Sequence, residues 1–387
     1  MNCLSEMGKT ERVVALVLMF FLAAAALKPK LIYAEIVADH TRAVVVPDSA
    51  ITLAKSTLHI AYGHTSHGSQ LVTGMNALMS HNPLYSWSSG GAGGALDLRD
   101  YAMGGDVGYY PQWVNNTLAY LGTPVPATGR GADHPLVNVV IWSWCGQAAG
   151  YSEQQMIDRY LAPMTQLEST YPGIKFVYMT GHLNGTGVDG NLNLRNNQIR
   201  EYVQLNDKIL FDFADIESYD PSGAEFLSRL ANDECYYDSN NDGSTNHSDR
   251  NWAVDWISAN PVADLTYLAN SHCGGCAHSE KLNCVLKGRA IWWLWASLAG
   301  WNGDDNVRIV DTPYATLGEA YLHASDGNTI MARAITFDED LDLDRNIVVT
   351  IHGGYDNDFE DQTGFTTQDG GLTVSTGTLT VDRLVLR

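Results

Sequence analysis

His59–Leu71 reads HIAYGHTSHGSQL. Its opening run, taken with Leu58 as LHIAY, is short and lacks strict polar alternation, as expected of a parallel strand covered on both faces. Gly63 then lets the backbone turn sharply, which would lift His64, Thr65 and Ser66 to the rim of a sheet, while Gly68 allows close approach of a helix or substrate. A serine becomes a nucleophile only when a base takes its proton, so this reading requires a partner imidazole elsewhere in the chain. The same residues also read as a polar loop whose hydroxyls and rings satisfy one another, or as a ligand or metal loop built from His64, His67 and His182.

Working outward, three further apolar runs of the same texture recur: VNVVIW (137–142), IKFVYM (174–179) and ILFDF (209–213). Helical patterns separate them. In SEQQMIDRYLAPMTQLEST, Ser152 and Gln155 form a capping box, Met156, Tyr160, Met164 and Leu167 share a face, and Pro163 predicts a bend. Leu194, Ile199, Tyr202 and Leu205 repeat at helical spacing before the fourth strand. LNCVLKGRAIWWLWASLAGW is a last helix that directs Leu286, Ala290, Trp293 and Leu294 at the sheet and stops near Gly300. Strand and helix in this alternation predict an α/β fold: a three-layer, doubly wound parallel sheet with right-handed crossovers. Reactive groups then belong in loops beyond the carboxyl ends of the strands.

Ser88–Gly105, dense in glycine, reads as a surface excursion. Past residue 305 the texture changes to period-two threonine and valine punctuated by glycine, which predicts a small C-terminal all-β region. Its closing GGLTVSTGTLTVDRLVL resembles the first rungs of a parallel β-solenoid, whose open edge would need a covering contact. The expected organisation is a signal peptide over 1–34, an α/β domain over 35–304 and the β-rich region over 305–387.

Aspartate and glutamate number 44 against 23 lysine and arginine, for a formal charge of −21 over 387 residues. Such a field repels nucleic acid and anionic membranes, and no basic patch interrupts it. Lys9 and Arg12 precede an apolar run, Val13–Leu27, which is followed by LIYAE; this predicts export with cleavage near Ala34 and no membrane span in the mature chain, the other reading being an uncleaved N-terminal anchor. The expected location is secreted or cell-surface. Five cysteines then remain, and four can pair in an oxidising compartment. Cys235 is expected to pair within the Cys273, Cys276, Cys284 cluster, while HCGGC lacks the second CxxC that zinc would call for.

His278, just ahead of the last helix, is the best-placed base for Ser66, and Asp215, directly beyond the fourth strand, is the expected orienting carboxylate. His182 and Asn184, in TGHLNGTG, would edge the same pocket. Separately, DSNNDGSTNHSD offers oxygen donors at loop positions one, three, five, seven, nine and twelve: Asp238, Asn240, Asp242, Ser244, Asn246 and Asp249, with Gly243 at the turn. It resembles a dockerin or EF-hand loop, with aspartate in place of the usual final glutamate, and predicts structural calcium; the other reading is a plain Asn/Asp/Ser turn cluster that needs no ion. Tyr109, Tyr110, Trp113 and Trp144 are candidates for a sugar-stacking platform.

The block His64-Thr65-Ser66-His67-Gly68, together with Gly275-Cys276-Ala277-His278 before an amphipathic helix, resembles divergent secreted members of the SGNH/GDSL hydrolases. The resemblance spans about residues 55–300 and implies a flavodoxin-like layer, Ser66 as nucleophile and His278 as base. A stricter alignment moves the nucleophile to Thr65. It further implies oxyanion donors at Gly104 or Gly105, with Gln147 in place of the family's asparagine and Gly275 where its aspartate stands. The expected function is a secreted serine esterase, acting on a glycan ester such as a polysaccharide O-acetyl group. The other expectation is a non-catalytic carbohydrate-binding or surface-display protein.

Overall fold

The computed structural model describes residues 36–301, 306–310, 312–314, 316–356 and 359–387. The expected leader and its cleavage point lie outside the described residues, as does the 304/305 boundary.

The α/β layer is built on seven strands: β1 (Ile36–Ala38), β2 (His59–Gly63), β3 (Trp87–Ser88), β4 (Leu96–Met103), β5 (Val139–Trp142), β6 (Lys175–Met179) and β7 (Ile209–Phe211). All pair parallel, in the order β1-β7-β6-β5-β2-β4-β3. The chain lays β2 at the centre, goes out to β3 and β4 on one side, then returns to β5 on the other. The crevice beyond the carboxyl ends of β2 and β5 is therefore the topological switch point, where open α/β sheets bind ligands.

The four apolar runs all become strands. Their buried side chains on both faces require helices above and below. α1 (Asp48–Thr57), α2 (Ser69–His81), α6 (Phe213–Ser218) and the long α8 (Lys281–Ala299) pack together, and α8 also touches β1. α3 (Gln112–Leu121), α4 (Ala162–Thr170) and α5 (Asn191–Leu205) pack on β4, β6 and β7, and α7 (Trp252–Ala259) follows in a later insertion. Ser152 and Gln155 make the capping box in full. The turn before Pro163, which has no N–H to give, widens into a π-turn over Ile157–Leu161.

α2 and α8 cross with their backbones touching. A Cβ on Gly74 would lie 1.9 Å from the Cys284 carbonyl oxygen, and one on Gly288 would lie 2.4 Å from the Gly74 carbonyl carbon. Only glycine fits at either position. α8 is buried almost all round, with Trp292 and Trp295 at 0% and 1% exposure. Each large side chain so buried contributes roughly 1.5–3 kcal/mol.

Three expectations need correction. The Ser88–Gly105 stretch is only partly an excursion, because Leu96–Met103 is an eight-residue strand pairing with β2. Its charges hid it: Asp97 binds His59 and Arg99, and Asp100 binds His64. On α5 the buried residues are Leu192, Asn193, Asn196, Ile199 and Val203, whereas Leu194 and Leu205 are exposed. Trp113 and Trp144 are core residues, their indole N–H groups donating to the carbonyls of Arg159 and Met179, so of the four aromatics only Tyr109 and Tyr110 stay exposed.

A second hydrophobic cluster gathers Val307, Leu317, Ile330, Phe337, Leu341 and Ile351 with their neighbours. Here β8 (Val307–Ile309), β9 (Thr312–Tyr314) and α9 (Leu317–His323) lead into a coil. Its first turn is β10 (Thr329–Arg333), β11 (Thr336–Asp338) and β12 (Leu341–Leu343). The second is β13 (Val348–Tyr355), β14 (Thr366–Asp369) and β15 (Leu372–Val374), and β16 (Thr378–Asp382) and β17 (Leu384–Leu386) follow. Each strand stacks parallel on its counterpart in the preceding turn, with Ile330 beside Ile351 and Ile351 beside Val381. α9 packs against β8, β9, β10 and β12, whereas the last strands are mostly exposed.

Candidate active site

Three loops leaving adjacent strands meet at the switch point. The loop after β2 carries His67, the loop after β5 carries Cys145, and the loop after β6 carries His182. Two later segments add Asp233 and His278. His67 is the centre: its Nε2–H donates to Asp233 Oδ2 at 2.9 Å, and its Nδ1 faces Cys145 Sγ at 3.4 Å, within the range of a hydrogen bond to sulfur. With Nε2 protonated by the carboxylate contact, Nδ1 presents its lone pair to the thiol. The His67 ring is sandwiched, with His182 stacked at 3.9 Å between centroids and His278 at 4.4 Å.

Burial is the main influence on these groups. It pulls the His67 imidazole below its ordinary value, outweighing the Asp233 hydrogen bond. Burial pushes Asp233 up, but the hydrogen bond from His67 and the two neighbouring imidazoles bring its carboxyl net below the usual range. Near neutrality the pair is thus a neutral imidazole oriented by a carboxylate. His182 donates its Nδ1–H to the Leu183 carbonyl at 2.6 Å, and its Nε2, buried and unpartnered among the described residues, points toward Gly146.

Cys145 is half-buried at the end of β5, just ahead of a 3-10 turn over Gly146–Gly150. The other free thiols differ sharply: Cys235 and Cys273 are buried, and desolvation pushes them up to about 12 and about 11. The disulfide joins Cys276 to Cys284, tying the His278 loop to the first turn of α8. Cys235 does not pair as expected; its thiol lies 3.5 Å from Ser279 Oγ.

Among the residues foreseen for the site, His278 and His182 come to the cleft but Ser66, His278 and Asp215 do not form a triad. Ser66 is exposed, and its carbonyl accepts from the Ser69 amide and hydroxyl, while among the described residues its own hydroxyl is bonded to no imidazole. The His278 ring stacks on His67, its backbone held at φ 55°. Asp215 belongs to His40, accepting from its backbone N–H at 2.9 Å and from Nδ1 at 2.5 Å. Thr65 donates to Asp106 rather than to a histidine, and Gln147 Nε2 donates to the same carboxylate. Asp106 thereby ties the loops after β2, β4 and β5, and burial raises its carboxyl. His64 is fully inside, its ring nitrogens facing Asp100 and the Thr65 carbonyl. Gly105 is exposed with open space around it. Gly68 is required, since a Cβ there would fall 2.3 Å from both His64 Cβ and Ser143 Oγ.

Ligand atoms of three acidic or imidazole side chains converge at two places among the described residues: His67, Asp233 and His278, and Asp39, His40 and Asp215. The Asp238–Asp249 loop is in neither. Its carboxylates face their own backbone: Asp238 accepts from the amides of Asp242 and Gly243, and Asp249 from those of Ser239 and Asn246.

No helix among the described residues is long and apolar enough to cross a membrane. No protein-family model and no curated protein matches the chain. A solved structure of a "putative acylhydrolase" from Bacteroides fragilis aligns at TM-score 0.27 and 10% identity, covering 45% of this chain and 75% of that one.

Proposed function

We propose that the chain is an exported hydrolase that performs acyl transfer with Cys145 as nucleophile, His67 as base and Asp233 as orienting carboxylate. The observation that carries this is the continuous line from Cys145 Sγ through His67 to Asp233, at 3.4 and 2.9 Å. The thiol gives its proton to His67 Nδ1 as sulfur attacks the ester carbonyl. His67 then protonates the departing alcohol, and a water deprotonated by the same nitrogen releases the acid from the thioester. The leading amides of the Gly146–Gly150 turn, which directly follows Cys145, lack acceptors within the turn and would serve as oxyanion donors.

The remaining assignments belong to the same reading. The layer is of SGNH-like type, the substrate a glycan ester that Tyr109 and Tyr110 would help to seat, and 305–387 the start of a β-solenoid whose β16–β17 edge a further contact covers. Calcium would sit at Asp238–Asp249, where two buried carboxylates have amides and the Ser239 hydroxyl, but among the described residues no cationic side chain, as hydrogen-bond partners.

The test is hydrolysis of short-chain p-nitrophenyl esters and acetylated glycans by the wild type, Cys145→Ala and Ser66→Ala. Loss in the first variant alone supports the thiol; loss in the second alone returns the role to Ser66. A second reading, favoured by the convergence of His67, Asp233 and His278, is a transition-metal centre. Activity that disappears on chelation and returns with zinc would support that reading over the thiol.

A further inference from the structure

α8 carries one lysine into the interior. Lys287, Glu217 and Gln70 all have 0% exposure. Lys287 Nζ donates to Glu217 Oε1 at 2.6 Å and to Gln70 Oε1, and lies 3.7 Å from the centroid of the Phe213 ring. Each acceptor is committed a second time. Glu217 Oε2 accepts from the Leu183 amide at 2.7 Å, and Gln70 Nε2 donates to the Ala277 carbonyl at 2.6 Å. The Gln70 amide in turn donates to the His67 carbonyl.

These anchor points are specific. Leu183 follows His182, Ala277 precedes His278, and Gln70 stands one turn beyond His67 on the same helix start. One ammonium is thus linked, through two side chains, to the backbone at or beside each of the three stacked imidazoles. A buried ion pair is weak evidence for stability, since well-packed apolar replacements are often as stable. Its connections are what distinguish it. The positive φ of His278 also needs surroundings that hold it, and the Gln70 contact and the Cys276–Cys284 link flank it on both sides.

We propose that Lys287 is a positioning residue: through Glu217 and Gln70 it sets the His182–His67–His278 stack and so holds His67 in line between Cys145 and Asp233. It touches neither substrate nor the reacting atoms. The proposal rests on the acyl-transfer reading for its kinetic consequence, but not for its geometric one.

The experiment uses the whole chain. The double variant Lys287→Met with Glu217→Gln removes both charges while keeping similar volume, and Gln70→Met cuts only the links to Lys287 and Ala277. Three quantities are read: the melting midpoint, the ring NMR signals of His67, His182 and His278, and the alkylation rate of Cys145 alongside kcat and KM. A folded double variant is expected to show displaced ring signals, with alkylation rate and kcat lowered about 10–100-fold and KM little changed. Wild-type ring signals and wild-type thiol reactivity in that folded variant overturn the proposal. If the double variant does not fold, Gln70→Met decides: displacement of the His278 ring supports the link, and an unmoved ring overturns it. A wild type with neither ester hydrolysis nor selective Cys145 reactivity ends the hydrolase reading, while the ring signals still judge Lys287.

Discussion

Two histidine–carboxylate pairs stand on the same rim of the sheet, and they are not equivalent. His67 is 7% exposed, bonds Asp233 through Nε2 and offers Nδ1 to a thiol. His40 is more open, bonds Asp215 through Nδ1 and stacks on Tyr219 at 3.6 Å, with no hydroxyl or thiol bonded to its other nitrogen among the described residues. The carboxyls also part ways: Asp233 is held below the usual range by its imidazoles, while burial beside Asp212 leaves Asp215 above it. An oriented imidazole becomes a base only where something stands ready to lose a proton to it. The rim supplies that at one pair.

The comparison breaks most directly through the thiol. Cys145→Ala is expected to lower kcat/KM for ester hydrolysis by about 10⁶-fold, while Asp215→Asn leaves it within about twofold; steady-state rates with p-nitrophenyl acetate measure both. Equal losses would make the two pairs alike. Asp233→Asn, which would favour the wrong His67 tautomer, is expected to cost about 10⁴-fold, read in the same assay and in the alkylation rate of Cys145.

How far the sequence carried these assignments depends on what each residue type signals by itself. β2, β5, β6 and β7 announced themselves because strands buried on both faces are unbroken apolar runs. β4 did not, because Asp97, Arg99 and Asp100 are charges paired inside the fold, and pairing is not visible along a chain. His67 lay in the decisive stretch, but nothing in that stretch separated it from its neighbours His64 and Ser66. Cys145 did leave a signal, as an odd cysteine directly after a strand, but what sets it apart from the other free thiols is the imidazole beside it, which comes from 78 positions away. Asp233 left none, being one aspartate in an insertion, brought to His67 across 166 positions. Asp215 does lie just beyond β7, but its partner is His40, delivered by the neighbouring edge strand β1, whose short run IVA carried no strand signal of its own.

The acid side of the pH profile sharpens the comparison further. Burial lowers the folded-state affinity of His67 for a proton, so the base form persists below the ordinary imidazole value of 6.5. The acid limb of kcat/KM is therefore expected below pH 6.5. In linkage terms the unfolded chain binds more protons in that window. The stability that the group contributes is full above 6.5 and lost as pH falls through the lowered folded value. A limb above 6.5 would mean a base other than His67.

Away from the rim, Gly74→Ala is expected to cost about 3 kcal/mol, measured by denaturant unfolding, because the added methyl meets the Cys284 carbonyl rather than a movable side chain. The smallest effect is expected at Asp238–Asp249, where a chelator should lower the melting midpoint by a few degrees if calcium is bound there. An unchanged midpoint would leave that loop to its own hydrogen bonds.

The three stacked rings come from positions 67, 182 and 278, with the sulfur at 145 and the carboxylate at 233. A polypeptide is made from its N-terminus onward, so the thiol leaves the ribosome long before its orienting carboxylate exists. Until His278 has followed it out, the young chain carries a cysteine without its completed surroundings. Whatever reactivity the finished cleft has is thereby withheld from every shorter nascent form.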